Sequence, residues 1–163
     1  MSARAGVRLA VDVGDVRVGL AASDPDALLA TPVMTLRRDA NRGSDLRMLL
    51  KIIADRAAVV VYVGLPLSLS GTETPSTQKA RDYAVALAAQ LAAQSSPTEV
   101  RLIDERLSTV SAAEKMRAAG VEAKNQRSAI DQAAAVEILT HALDMRSALG
   151  QEAGTLVEID PET

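Results

Sequence analysis

The chain has 163 residues, with 18 lysines and arginines, 21 aspartates and glutamates, one histidine and no cysteine, for a formal charge of −3. That length suits one domain with one core, and the lack of cysteine excludes disulfides and thiolate metal sites, so any metal must be held by carboxylates, with His141 the single imidazole. Residues 1–8 carry two arginines but no apolar run, and no stretch resembles a membrane span, so a cytoplasmic protein without a membrane partner is expected.

In chain order, Leu9–Val13 reads as an apolar strand holding one carboxylate, Asp12, and Val18–Ser23 turns back beside it as a second strand. A lone carboxylate flanked by Val11 and Val13 is costly to bury, so Asp12 needs a partner, either a metal ion or a turn N–H. Gly14 and Gly19 let the hairpin bend and let backbone approach a ligand closely, or they serve the turn alone. Ala30–Arg37 reads as a third strand. Ser44–Arg56 spaces Leu46, Leu49, Leu50 and Ile53 along one helical face.

Ala57–Leu65 is a continuous, mainly β-branched run that suits a strand covered on both sides. After a polar loop, Thr74 can cap a helix with Pro75 in its first turn, and that helix runs to about Ala93. Val100–Asp104 is a short fifth strand. Ser111–Ala119 reads as a helix opened by a capping box with Glu114 and closed by Gly120. Ala129–Leu149 is the last helix. From Gly150 onward the chain is polar and acidic, and disorder is expected there. These signals predict an α/β fold: a five-stranded mixed sheet with an antiparallel three-strand start and helices on both faces, formed by residues 1–149 and followed by a tail over 150–163.

The charge is unevenly spread. Four acids (Glu152, Glu158, Asp160, Glu162) and no base follow residue 149, and the rest of the chain has one more base than acid. Bases cluster at Arg37-Arg38, Arg42 and Arg47, and again at Arg101, Arg106, Arg117, Lys124 and Arg127. Local patches rather than net charge set phosphate contacts, although the same residues also serve as ordinary solubilising surface. With no Phe or Trp and only Tyr62 and Tyr83, a base-stacking platform is not expected, so nucleic acid would be held by its phosphates and sugars.

Three acidic positions stand out by location. Asp12 is on the first strand, Asp104-Glu105 ends the fifth strand, and Asp131 opens the last helix. Ligands of open α/β sheets gather beyond the carboxyl ends of strands. Carboxylates brought together there repel unless a divalent cation neutralises them, and Mg²⁺ suits a few carboxylates plus water and phosphate oxygens. Each position also has a plain structural explanation. Asp104-Glu105 beside Arg106 can form a surface ion-pair turn, Ser128-Ala-Ile-Asp131 is itself a capping box, and His141 reads as a helix-surface residue.

Together, Asp12-x-Gly14-x-x-Arg17-x-Gly19-x-Ala21-x-Ser23-Asp24, Val63-Gly64-Leu65-Pro66 with Gly71-Thr72-Glu73, Asp104-Glu105-Arg106-Leu107-Ser108-Thr109, and Ile130-Asp131 resemble the YqgF/RuvX family from about Leu9 to Asp144. The resemblance implies an RNase H-like fold. It also implies a nuclease that trims the 5′ end of pre-16S rRNA on a ribosomal precursor particle or, alternatively, resolves Holliday junctions. It makes Asp12, Glu105 and Asp131 the metal-binding and catalytic acids, holding Mg²⁺ or Mn²⁺, two ions being expected, with Asp131 reaching in from the first turn of its helix. Val16 stands where many relatives carry lysine, and Ser68 and Ser70 replace the usual Asn and Asp, which alters substrate contacts rather than the acids.

Arg17, Arg106 and Arg127 each fall within a few residues of an acid and are expected to clamp one phosphate backbone, or else to pair with those acids. RNA is expected over branched DNA, because no aromatic wedge is available to open a junction. Both monomer and homodimer fit the sequence, a two-fold dimer being what a junction resolvase needs. Two other readings compete. An actin-type ATPase lacks room here for its second phosphate-binding lobe, and a non-catalytic RNA- or protein-binding module would have no reason to keep all three acids.

Overall fold

The computed structural model describes residues 5–105 and 123–159, with residues 123–128 described by their backbone alone. The strands are β1 (Arg8–Val13), β2 (Arg17–Ser23), β3 (Ala30–Arg37), β4 (Val60–Pro66), β5 (Glu99–Glu105) and β6 (Thr155–Leu156). The helices are α1 (Ser44–Arg56), α2 (Pro75–Ala93) and α3 (Ala123–Leu149). The six strands form one sheet in the order β3-β2-β1-β4-β5-β6. β1, β4 and β5 are mutually parallel neighbours, while β2, β3 and β6 pair antiparallel. The helix expected at Ser111–Ala119 lies outside the described residues.

Strand alternation divides the side chains between two cores. Leu9 and Val11 of β1, Val18 and Leu20 of β2, and Val61 and Val63 of β4 face α1 and α2, where Leu49, Ile53, Tyr83 and Leu87 cover them. Ala10, Ala21, Val60, Tyr62 and Ile103 face α3 and meet Ala135, Ile138, Leu139 and Ala142. The central strands are thus covered on both faces, which explains their near-continuous apolar runs. The α3 side is lined by alanines, so this helix lies close to the sheet.

Local chemistry sets the element ends. Thr74 caps α2 through a reciprocal capping box with Thr77, and Pro75 takes the first turn, where its missing N–H costs nothing. α1 closes on Ala57, which adopts a left-handed conformation at φ +50°. Asp24 accepts bonds from the N–H groups of Asp26, Leu28 and Leu29, folding the β2–β3 connection. Ser23 accepts the N–H of Arg8. The final residues of the first sequence motif therefore build the fold.

Two expectations change. Among the described residues the sheet has six strands rather than five, and the added one, β6, lies in the acidic segment expected to be disordered. It pairs with Arg101 and Leu102 of β5, and Ala153 beside it is fully buried. The anchor is a buried ion pair. The Arg8 side chain is wholly buried, and its Nε and one terminal nitrogen donate to the two carboxylate oxygens of Glu152 at 3.1 and 3.0 Å. Tyr62 donates its hydroxyl to the same carboxylate at 2.8 Å.

The second change concerns the last helix. α3 is already helical from Ala123, so Ser128 is not an N-cap and Asp131 lies well inside the helix rather than in its first turn.

Candidate active site

Asp12 sits at the carboxyl end of β1, and alternation turns it to the α3 face, opposite Val11 and Val13. Its Cα partner on β2 is Gly19, and Gly64 occupies the same face of β4. Both glycines make room. A Cβ on Gly19 would stand 2.1 Å from the backbone oxygen of Asp131, and one on Gly64 would stand 2.5 Å from Ile138 Cδ1 and 3.3 Å from Glu105 Cγ. The absent side chains at these positions let α3 carry Asp131 down to the sheet and let Glu105 fold inward from the end of β5. Gly19 was expected to bring backbone close to a ligand; what approaches it is the helix. Gly64 enters the sequence reading only as part of the Val63-Gly64-Leu65-Pro66 motif, although a glycine inside a β-branched run itself signals such an approach.

Glu105 is buried, at 8% exposed, while its neighbour Asp104 is exposed. A surface ion-pair turn therefore does not describe Glu105. Burial, then the charge of Asp131, then that of Glu105, push the Asp12 carboxyl up to about 7. That rise is the electrostatic signature of three acids sharing one poorly solvated face.

The three carboxylates have different partners. Asp131 Oδ2 accepts a 2.7 Å bond from Arg17 Nε. Glu105 Oε1 is 4.0 Å from Nδ1 of His141, which is half exposed on α3. Among the described residues, no three His, Cys, Asp or Glu side chains are close enough to hold one ion. The donor set nevertheless fits a hard divalent cation in kind: it is all carboxylate oxygen, and the charges of Asp131 and Glu105 make ionising Asp12 costly, a cost that a cation would offset. Asp12, Glu105 and Asp131 are the residues that would hold such an ion, which supplies charge neutralisation and an acidified water to phosphoryl chemistry.

The predicted phosphate clamp is only partly described. Arg106 and the side chain of Arg127 lie outside the described residues. Arg17 is present, but its guanidinium braces Asp131. At the hairpin tip, Gly14 donates its N–H to the carbonyl of Arg17 at 2.9 Å, closing the turn, and Asp15 pairs with Lys79 of α2. Ser68, Ser70 and Thr72 form a chain of hydroxyl contacts that holds the loop after β4.

A mixed sheet of this order, with acids at the ends of β1 and β5 and on the helix across them, is an RNase H-like fold. The structure "T. thermophilus RuvC in complex with Holliday junction substrate" has the same fold, with a TM-score of 0.55 at 16% identity, covering 93% of this chain and 99% of that one. The chain belongs to the family described as "RuvX: Holliday junction resolvase", which it matches over residues 6–145.

Two relatives show how close the kinship is. A Mycolicibacterium paratuberculosis protein is 54% identical over 91% of this chain and 86% of its own length. A Clavibacter sepedonicus protein is 48% identical over 98% of both. Each is named "Putative pre-16S rRNA nuclease". Membership of this family makes the chain a nuclease, a hydrolase of phosphodiester bonds.

Proposed function

We propose that the chain is a divalent-metal-dependent nuclease acting on RNA, in the 5′-end processing of pre-16S rRNA. The observation that carries the reading is the raised carboxyl of Asp12, produced by burial and by Asp131 and Glu105 on the same face of the sheet. In this reading Asp12, Glu105 and Asp131 hold Mg²⁺ or Mn²⁺, and two ions fit the pattern of in-line phosphodiester hydrolysis. The names of the relatives supply the RNA assignment, and the composition agrees with it, since no Phe or Trp is available to pry open a junction.

The family's description favours a second reading, in which four-way DNA junctions are cut in matched pairs by a two-fold dimer. A direct comparison separates the two. Cleavage of a pre-16S precursor, single-stranded RNA, duplex RNA and a four-way DNA junction is measured with Mg²⁺ or Mn²⁺, with Asp12→Asn as control. The RNA reading expects metal-dependent cleavage of the precursor that Asp12→Asn abolishes. Paired junction cleavage without any precursor cleavage replaces it with the second reading.

A further inference from the structure

We propose that Arg37, at the end of β3, grips a backbone phosphate of the bound nucleic acid on the hairpin side of the acidic face, and that Arg17 beside it is a positioning residue for Asp131. The inference rests on the nuclease reading. Arg17 and Arg37 are Cα partners on the β2–β3 ladder, and directly opposed residues of antiparallel strands project to the same face, about 5 Å apart at Cβ. That face is the one α3 covers. Arg17 reaches Asp131, and two residues back along β3, Thr35 accepts a hydrogen bond from Gln132 at 3.2 Å.

Two arginines therefore leave the sheet side by side at the rim of the site. Like charges in directly opposed positions destabilise a sheet, and only one of this pair is balanced from within. Arg17 has Asp131. Arg37 is exposed, and its side chain has no hydrogen bond or ion pair among the described residues. The neighbouring arginines are engaged elsewhere: Arg38 with Asp45 and over the ring of Tyr83, and Arg47 with the carbonyl of Arg42.

Among the described residues β3 ends the strand order, and none of their strands lies beyond Arg37. A phosphate placed there offsets the repulsion between the two arginines and meets a planar fork suited to paired hydrogen bonds. The clamp expected of Arg17 thus moves one strand outward, because Arg17 is already committed to an acid of the site.

The test uses the full chain carrying Asp12→Asn, so that nothing is cut while binding is measured. Dissociation constants for a pre-16S-type RNA and a four-way DNA junction are taken across a range of NaCl, with Arg37→Ala, Arg37→Lys or Arg42→Ala added. The expectation is that Arg37→Ala weakens binding on the order of tenfold and reduces the salt slope by about one. Arg37→Lys should keep the slope, Arg42→Ala should keep both, and none should lower the melting temperature, since Arg37→Ala relieves the repulsion from Arg17. A loss with RNA alone marks a ribose contact and overturns the phosphate assignment. Unchanged affinity and slope for Arg37→Ala, on a substrate the parent binds, overturn the inference while leaving the nuclease reading intact. A parent that binds neither nucleic acid overturns both.

Discussion

Gly19 of β2 lies directly beneath the backbone carbonyl of Asp131, so close that the helix rests on the place where a side chain would be. Because Gly19 is also the register partner of Asp12, one missing methyl group sets how near two of the three acids come. Gly19→Ala is therefore expected to destabilise the protein by about 2–3 kcal/mol, since the obstructing atom is backbone and cannot rotate away. Gly64→Ala should cost less, because its nearest contact is the terminal methyl of Ile138, which can change rotamer. Thermal unfolding of the two variants checks the order. A Gly19→Ala protein that melts with the parent would contradict the contact.

The raised carboxyl of Asp12 makes stability depend on pH in a definite direction. The folded protein holds this proton up to about pH 7, whereas the unfolded chain releases it near the ordinary aspartate value. Between those limits the native state binds more protons, so stability falls as pH rises. The loss is on the order of 2–4 kcal/mol once pH passes 7. Asp12→Asn removes it. In metal-free buffer the variant should match the parent near pH 4 and melt higher than it at pH 8. Equal melting temperatures across that range would contradict the shared acidic face.

Divalent cations should reverse this balance. An ion held by the acids stabilises the folded state by mass action, and it must displace the proton of Asp12, so its affinity should weaken as pH falls below about 7. Mn²⁺ is expected to raise the melting temperature of the parent at pH 8 and to leave that of Asp12→Asn unchanged. A similar rise in both would remove Asp12 from the metal site.

Arg17 competes with such an ion for Asp131. The pair is partly exposed, so Arg17→Gln should change stability by less than about 1 kcal/mol. It should tighten Mn²⁺ binding, by removing a positive neighbour, while slowing turnover, by leaving Asp131 unbraced. Calorimetric titration and single-turnover cleavage would read the two effects separately. Weaker Mn²⁺ binding would show that Arg17 does not oppose the ion.

Much of the fold was legible in the sequence because its elements carry local signals. α1 and β3 begin and end where their residues predict, and Thr74 and Pro75 open α2 as expected. The central place of β1, between β2 and β4, also follows from the pattern of strands. β6 was not legible. Two residues carry no periodicity, and the strand exists because Glu152 is drawn to Arg8 across a separation of 144 positions. By location alone Asp104 and Glu105 looked alike; the family resemblance chose Glu105, and alternation along β5 turns that residue toward α3 while leaving Asp104 exposed. The partnership of Arg17 with Asp131 was one of two readings that the sequence left open, and the structure shows that pairing.

The ion pair of Arg8 and Glu152 invites a last test. Glu152→Ala strands a buried guanidinium and leaves the Tyr62 hydroxyl without its acceptor, at an expected cost of about 3–5 kcal/mol. Burial works to raise the Glu152 carboxyl, but the hydrogen bonds of Arg8 and Tyr62 and the charges of Arg8 and Arg146 overcome it and hold the group below its usual range. Its contribution is therefore present above the ordinary glutamate value and lost as pH falls through the lowered one. The gap between parent and variant should close in acid. Double replacement with Arg8→Met and Glu152→Met should recover most of the loss at neutral pH. A gap that stays constant into strong acid would contradict the charge pairing.

The same pair has a consequence for how the chain is made. Arg8 belongs to β1, a central strand of the sheet that is synthesised well before β6. Its countercharge, Glu152, is made 144 residues later. Until then the nascent sheet holds an uncompensated cation in its interior, so the compact state is penalised while synthesis is incomplete. Stalled or prematurely terminated chains that stop before Glu152 should remain open to proteolysis. Only a chain that extends through Glu152 acquires the buried neutrality that makes the fold worth closing.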